Sequence, residues 1–131
     1  MDRYCLLGNP VEHSRSPWLH TRFAQLTGQD IGYSKQLVPL DGFADAVRDW
    51  RAQGGRGCNV TLPFKLDAFA CATELTERAR LAGAVNCMKF DGERAIGENF
   101  DGLGLVNDIQ VNLGFPLRGR RVLLLGAGGA A

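Results

Sequence analysis

The stretch Asn59-Val60-Thr61-Leu62-Pro63-Phe64-Lys65 follows a glycine-rich turn, Gly54-Gly55-Arg56-Gly57. It reads as a short strand that breaks into a loop and then a helix, the unit from which an α/β sheet is assembled. Pro63 suits the first helical position, where no backbone donor is required. Lys65 then falls in the first helical turn. Unpaired N–H groups there already carry partial positive charge, so a lysine costs stability. A cation set against its local field, beside an amide and a hydroxyl, is a candidate for chemistry. From this stretch alone the simpler reading, a lysine pointing to water, is favoured.

Outward from that unit, strands and helices alternate. Residues 3–8 read as a buried strand ending in the turn Gly8-Asn9-Pro10. Ser16-Pro17 predicts a helix start, with Ser as the cap and Pro in the first position. Leu19, Phe23 and Leu26 follow at i, i+4, i+7 as its buried face, with Trp18 in the same packing, and Gly28 ends it. A second strand is expected over 31–38. Asp41 is placed to cap a helix whose apolar face is Phe43, Val47 and Trp50. After a third strand near 57–60, two short helices are predicted over 63–71 and 74–82. Asp91-Gly92 between two strand-like runs is the strongest short hairpin signal. Asn99-Phe100-Asp101-Gly102 opens a helix with Leu105, Ile109 and Leu113 on one face. Arg121-Val122-Leu123-Leu124-Leu125 reads as an apolar central strand. The fold class expected is α/β: an open, mostly parallel sheet with flanking helices and one antiparallel hairpin strand.

The chain has 131 residues, 45% hydrophobic and 22% charged, within the range of soluble globular proteins. A net charge of +1 gives no electrostatic reason to expect nucleic acid or an anionic membrane as partner. The apolar runs are far below spanning length, and the N-terminal one is too short for a signal peptide. Cys5, Cys58, Cys71 and Cys87 lack CxxC spacing, and neither His13 nor His20 is near a Cys in sequence, so no metal site is expected. Four reduced, packed cysteines fit a cytoplasmic protein.

The final strand runs into Gly126-Ala127-Gly128-Gly129-Ala130. A buried strand followed by such a turn is how a dinucleotide-binding βαβ unit begins, although alone it is more often a structural turn. The expectation is therefore a piece of a longer protein, with residues 1–101 as one domain, 102–119 as a linker helix and 120–131 as the truncated start of a Rossmann domain. Without sheet neighbours, 121–125 is expected to be disordered or to pair with another chain.

Polar residues cluster just after predicted strands: Ser14 and Ser16, Asn59 and Thr61, Lys65, Asn86, Asn99 and Asp101. Ligands of open α/β sheets bind at the carboxyl ends of strands. Hydroxyls, amides, one amine and one carboxylate suit a small polyhydroxylated carboxylic acid. Bland roles exist for each: Asp101 or Ser16 as helix caps, Asn59 and Asn86 as turn formers.

The order and spacing of several motifs identify a resemblance. They are Gly8-Asn9-Pro10 with His13-Ser14-Arg15-Ser16-Pro17 and His20, Gly57 to Lys65, Glu74-Leu75-Thr76, Ala82 to Asn86, Gly97 to Gly102, and Gly126 to Ala130. Together they resemble shikimate dehydrogenase from residue 4 onward. The resemblance implies an N-terminal substrate domain and a C-terminal Rossmann domain, reducing 3-dehydroshikimate to shikimate with NADPH. It implies that Ser14 and Ser16 hold the substrate carboxylate, that Asn59 and Thr61 lie near the substrate, and that Asn86 and Asp101 contact its hydroxyls. Lys65 matches the catalytic lysine, paired with Asp101, and Gly126, Ala127, Gly128, Gly129 and Ala130 match the start of the NADP site. The expected partner is the small-molecule substrate, with a homodimer as the candidate assembly. Alternatives are a quinate/shikimate dehydrogenase or, for the isolated piece, a substrate-binding module without turnover. The chain departs from the family pattern at Phe100, where Thr is common, at Cys87, where Thr is usual, and at Arg15 in place of Lys.

Overall fold

The computed structural model describes residues 1–129. Its elements in chain order are β1 (Asp2–Gly8), α1 (Ser16–Thr27), β2 (Ile31–Leu37), α2 (Phe43–Ala52), β3 (Gly55–Val60), α3 (Lys65–Cys71), β4 (Glu74–Leu75), α4 (Glu77–Ala82), β5 (Cys87–Asp91), β6 (Arg94–Glu98) and α5 (Asp101–Asn107). A π-helical turn, Asp108–Asn112, continues α5. The strands form one six-stranded sheet in the order β2-β1-β3-β5-β6-β4. β5 runs antiparallel to both neighbours, and the other pairings are parallel. The fold class is therefore the expected one, with β5 the single reversed strand.

The core lies on one face of the sheet. Phe43, Val47 and Trp50 of α2 and Ala68 of α3 meet Cys5, Leu7, Cys58, Val60 and Met88 from three adjacent strands. The Phe43 and Phe64 rings stack with centroids 5.3 Å apart. Trp50 donates its indole N–H to the Gly57 carbonyl at 3.0 Å, which satisfies the one polar atom of that ring. Its ring presses on Gly55 so closely that a Cβ there would overlap the indole.

Several local expectations are corrected. Leu19, Phe23 and Leu26 are 41%, 53% and 66% exposed, and Trp18 is 69% exposed, so they do not form the buried face of α1. The half-buried residues are Ser16, Pro17, His20 and Ala24, and the helix docks through His20 stacked on Tyr33 at 4.1 Å. The helix is thus rotated from the position its apolar period indicates. Ser16 makes no side-chain cap; instead Ser14 Oγ accepts the Ser16 N–H at 3.2 Å. Asp41 does not cap α2, which begins after Gly42.

Pro63 sits in a turn, and Lys65 itself is the first residue of α3. Glu74 is in a strand rather than a helix. Arg94 grips its carboxylate at 2.6 and 2.8 Å while its backbone pairs with β6, and Thr76 caps α4 by accepting the Ala79 N–H. The β5–β6 hairpin forms as expected, its two-residue loop being Gly92-Glu93, with φ of 56° at Gly92.

The 102–119 segment is helical only to Asn112, and Leu105 and Leu113 are exposed. Residues 121–125 form no strand among the described residues, and Val122 to Leu125 are exposed. A strand exists through the ladder it shares with a neighbour, and none of the six strands pairs with this segment.

Candidate functional site

The carboxyl ends of β1, β3 and β6 lie along one edge of the sheet. Because β5 is reversed, its amino end reaches the same edge and brings Asn86 beside the residues that follow β3. The result is a cleft of about 450 Å3 lined by Ser14, Ser16, Asn59, Thr61, Lys65, Asn86 and Asp101, with His13 and His20 at its wall. All seven residues expected to hold substrate face this one space.

Lys65 Nζ donates to Asp101 Oδ2 at 2.7 Å across 36 residues of sequence. The lysine side chain is 12% exposed and the aspartate 40%. The other carboxylate oxygen, Oδ1, accepts from Asn86 Nδ2 at 2.8 Å, and Asn86 Oδ1 accepts the Phe100 N–H at 3.0 Å. The Asn86 amide is therefore held from both ends, one end meeting an acceptor and the other a donor, so only one orientation serves both. Two ammonium protons of Lys65 and further lone pairs on Asp101 remain for a ligand.

At the other end of the cleft, Ser14 Oγ donates to Ser16 Oγ at 3.1 Å, placing two hydroxyls side by side, as a carboxylate would require. Thr61 follows β3. Its methyl lies so close to Gly8 that any Cβ there would overlap it, so glycine at the end of β1 sets how near Thr61 stands. Asn59 Oδ1 accepts from the Tyr33 hydroxyl at 2.8 Å. Burial pushes the Tyr33 phenol well above its ordinary range, so it stays protonated and donates.

Glu98 lies beside Asn86, whose N–H its backbone carbonyl accepts at 3.0 Å. Burial alone would raise its pKa, but the Arg78 guanidinium at 2.8 Å, the Thr76 hydroxyl at 2.8 Å and the Asn99 N–H outweigh burial and hold it below its ordinary value. Arg78 also lies over the Phe100 ring, 5.2 Å from its centroid. That ring is turned away from the cleft and borders a larger hollow of about 630 Å3 on the sheet face opposite the core. The larger hollow holds Cys87 beside Tyr4 and Tyr33. Burial, with Glu98 adding to it, pushes the Cys87 thiol up to about 11, and burial raises Cys58 well above its ordinary value. These thiols are not nucleophiles at neutral pH. The smaller cleft, where donors and acceptors converge, is the chemically equipped one.

The cofactor residues expected from the glycine turn lie elsewhere. Gly126, Ala127 and Gly128 are exposed, and Gly126 has φ of 113°. Gly129 lies against α3, where a Cβ built on it would stand 3.3 Å from Lys65 Cβ. Ala130 is outside the described residues. Among the described residues no group of three or more His, Cys, Asp or Glu side chains is placed to hold a metal ion. No helix among them is long and apolar enough to cross a membrane.

Tyr33 and His20 carry no local sequence signal of their contacts. Tyr33 is one aromatic in a strand, and its contact with Asn59 depends on how β2 and β3 flank β1. His20 gives Nδ1 to the Ser16 carbonyl at 2.9 Å. A carbonyl only accepts, so the neutral ring carries its proton on Nδ1.

A family model for the substrate-binding domain of shikimate dehydrogenase matches residues 6–88. A curated shikimate dehydrogenase (NADP(+)) from Acidovorax sp. strain JS42 is 61% identical over 130 residues, covering 99% of this chain and 46% of that protein. The crystal structure of an Ael1 enzyme from Pseudomonas putida is 52% identical with a TM-score of 0.92, covering 99% of this chain and 48% of the other. A shikimate 5-dehydrogenase from Thermus thermophilus, solved with NADP(H) and shikimate, is 35% identical with a TM-score of 0.90, covering 99% and 49%. The chain spans about half the length of the curated relatives it matches.

Proposed function

The chain belongs to the shikimate dehydrogenase substrate-binding domain family, and on that premise we propose that the protein carrying it catalyses the NADP-dependent, reversible reduction of 3-dehydroshikimate to shikimate. The observation that carries this reading is the Lys65–Asp101 pair, 2.7 Å apart, facing a cleft that also presents the Ser14 and Ser16 hydroxyls and the Asn59 and Asn86 amides. The relatives' names and the Thermus thermophilus complex with NADP(H) and shikimate support it.

In this reading the serine hydroxyls donate to the substrate carboxylate, while Asn59, Thr61, Asn86 and Asp101 meet its hydroxyls. Lys65 stands at the ketone oxygen. As negative charge grows there, the ammonium stabilises it and delivers a proton, and in the reverse direction a neutral lysine takes the proton back. Asp101 holds the amine in place and directs it. NADPH, when bound, supplies the hydride. Of its site the described residues contain only the glycine turn. The positive φ of Gly126 and the open space beside Gly126 and Gly128 suit a backbone that approaches a pyrophosphate. Residues 1–101 then bind substrate, 102–119 connect, and 120–131 begin the nucleotide-binding domain. The four free cysteines fit a cytoplasmic location, and a homodimer is the assembly to look for.

The test is to offer the full-length gene product shikimate and quinate, each with NADP and NAD, and to record initial rates. Shikimate with NADP is expected to be fastest. A quinate rate of equal size would make it a quinate/shikimate dehydrogenase, and no turnover with any pair would overturn the proposal. Titration of the 131-residue chain with shikimate separates binding from turnover.

A further inference from the structure

We infer that Asn99 is a positioning residue for the Lys65–Asp101 pair, an inference that rests on the proposed role of that pair in proton transfer. Asn99 is 8% exposed, a polar side chain enclosed where apolar ones would be expected. Its Nδ2 donates to the Ala84 carbonyl at 3.0 Å, and its Oδ1 accepts the Asp101 N–H at 3.0 Å. The carbonyl only accepts and the amide N–H only donates, so a flipped side chain would lose both bonds.

These two bonds close a circuit. From Lys65 the backbone carbonyl accepts the Val85 N–H at 2.9 Å. One residue back, Ala84 accepts from Asn99. Asn99 holds the backbone of Asp101, and the Asp101 carboxylate returns to Lys65 Nζ. Every step is a hydrogen bond or a single covalent residue, so the amine and the carboxylate are fixed relative to one another by a ring with little slack. Asn86 spans the ring from within, pairing with Asp101 Oδ1 and the Phe100 N–H. Asn99 touches neither the cleft nor the reacting groups. It acts by fixing where α5 begins, and so where the carboxylate of Asp101 points. A displacement of about 1 Å in a catalytic group costs on the order of 100-fold in rate.

The test uses Asn99→Asp, which keeps the volume and the acceptor for Asp101 but removes the donor to Ala84. Asn99→Ala is the second variant, for the case in which a carboxylate against the Ala84 carbonyl prevents folding. In the full-length gene product, kcat for shikimate oxidation is expected to fall on the order of 100-fold. In an Asp101→Ala background the same change is expected to cost less than about threefold further, because residues acting as a unit are not additive. Equal losses in both backgrounds would overturn the inference. A readout without substrate accompanies it: the 15N side-chain amide resonances of Asn86 in the 131-residue chain, which sense the bond to Asp101. They are expected to shift in both variants, and unchanged resonances overturn the positioning role. If the unaltered protein turns over no substrate, the proposed function fails and the Asn86 resonances alone decide the role of Asn99.

Discussion

Removing either half of the Lys65–Asp101 pair is expected to have unequal effects on stability, and the exposure of the two partners decides which loss is worse. Lys65→Met keeps the side-chain stem and deletes the ammonium. It leaves a carboxylate that is 40% exposed and still holds the Asn86 amide at 2.8 Å. Water and that amide replace the lost partner, so the cost should be about 0.5–1.5 kcal/mol. Asp101→Ala leaves an ammonium that is only 12% exposed. Breaking a fully buried pair costs about 3–5 kcal/mol. The small opening to solvent at Lys65 brings the expectation to about 2–4 kcal/mol, since water screens part of the uncompensated charge. The difference of about 2 kcal/mol should appear in urea unfolding of the chain at pH 7 as midpoints about 1 M apart, given slopes of about 1–3 kcal/mol/M. In the double variant the stranded cation is gone, so it should be more stable than Asp101→Ala alone. Turnover should not follow this order: both single variants should lose at least about 100-fold. Equal destabilisation by Lys65→Met and Asp101→Ala would show that the lysine is not the enclosed partner of the pair.

Two further expectations follow from other residues. Glu98 titrates below its ordinary 4.5 in the fold, so its contribution is present above that value and is lost as pH falls through the lower folded one. The stability gap between the unaltered chain and Glu98→Gln, measured by denaturant titration, should narrow from pH 7 to pH 3, and a constant gap would contradict this. Gly55→Ala drives a methyl into the Trp50 indole and should cost about 1–3 kcal/mol with a blue-shifted or quenched Trp50 emission; an unchanged melting temperature would show that the ring moves aside freely.

Periodicity and turn chemistry read well wherever local sequence and burial coincide. The i, i+4, i+7 face of Phe43, Val47 and Trp50 is buried as its spacing indicates, and the dipeptide Asp91-Gly92 marks the hairpin to within one residue. The same rule fails for Leu19, Phe23 and Leu26 because a helix can turn a different face to the sheet when another contact, here His20 on Tyr33, fixes its rotation. It fails for Val122 to Leu125 because an apolar run becomes a strand only beside a partner. Helix starts expected at Pro63 and Glu74 fall later in the chain, where a turn and a sheet pairing override local propensity. At the site, the motif residues can be named from the sequence and converge on one cleft. Tyr33 and Asn99 cannot be assigned tasks that way, since both work through partners 26 and 15 residues away.

The order of the strands also has a consequence during synthesis. β1 precedes the other five strands yet sits inside the sheet, and its inner partner β3 pairs Cys5 with Cys58, more than fifty residues later. At roughly 5–20 residues per second, a ribosome needs about 3–10 s to supply that partner. Throughout this interval Cys5, Leu6 and Leu7 have at least one edge unpaired and both faces apolar. The nascent chain therefore presents an apolar segment before its inner partner can cover it, and slower translation between residues 8 and 55 should raise the demand for chaperones that bind short extended apolar peptides.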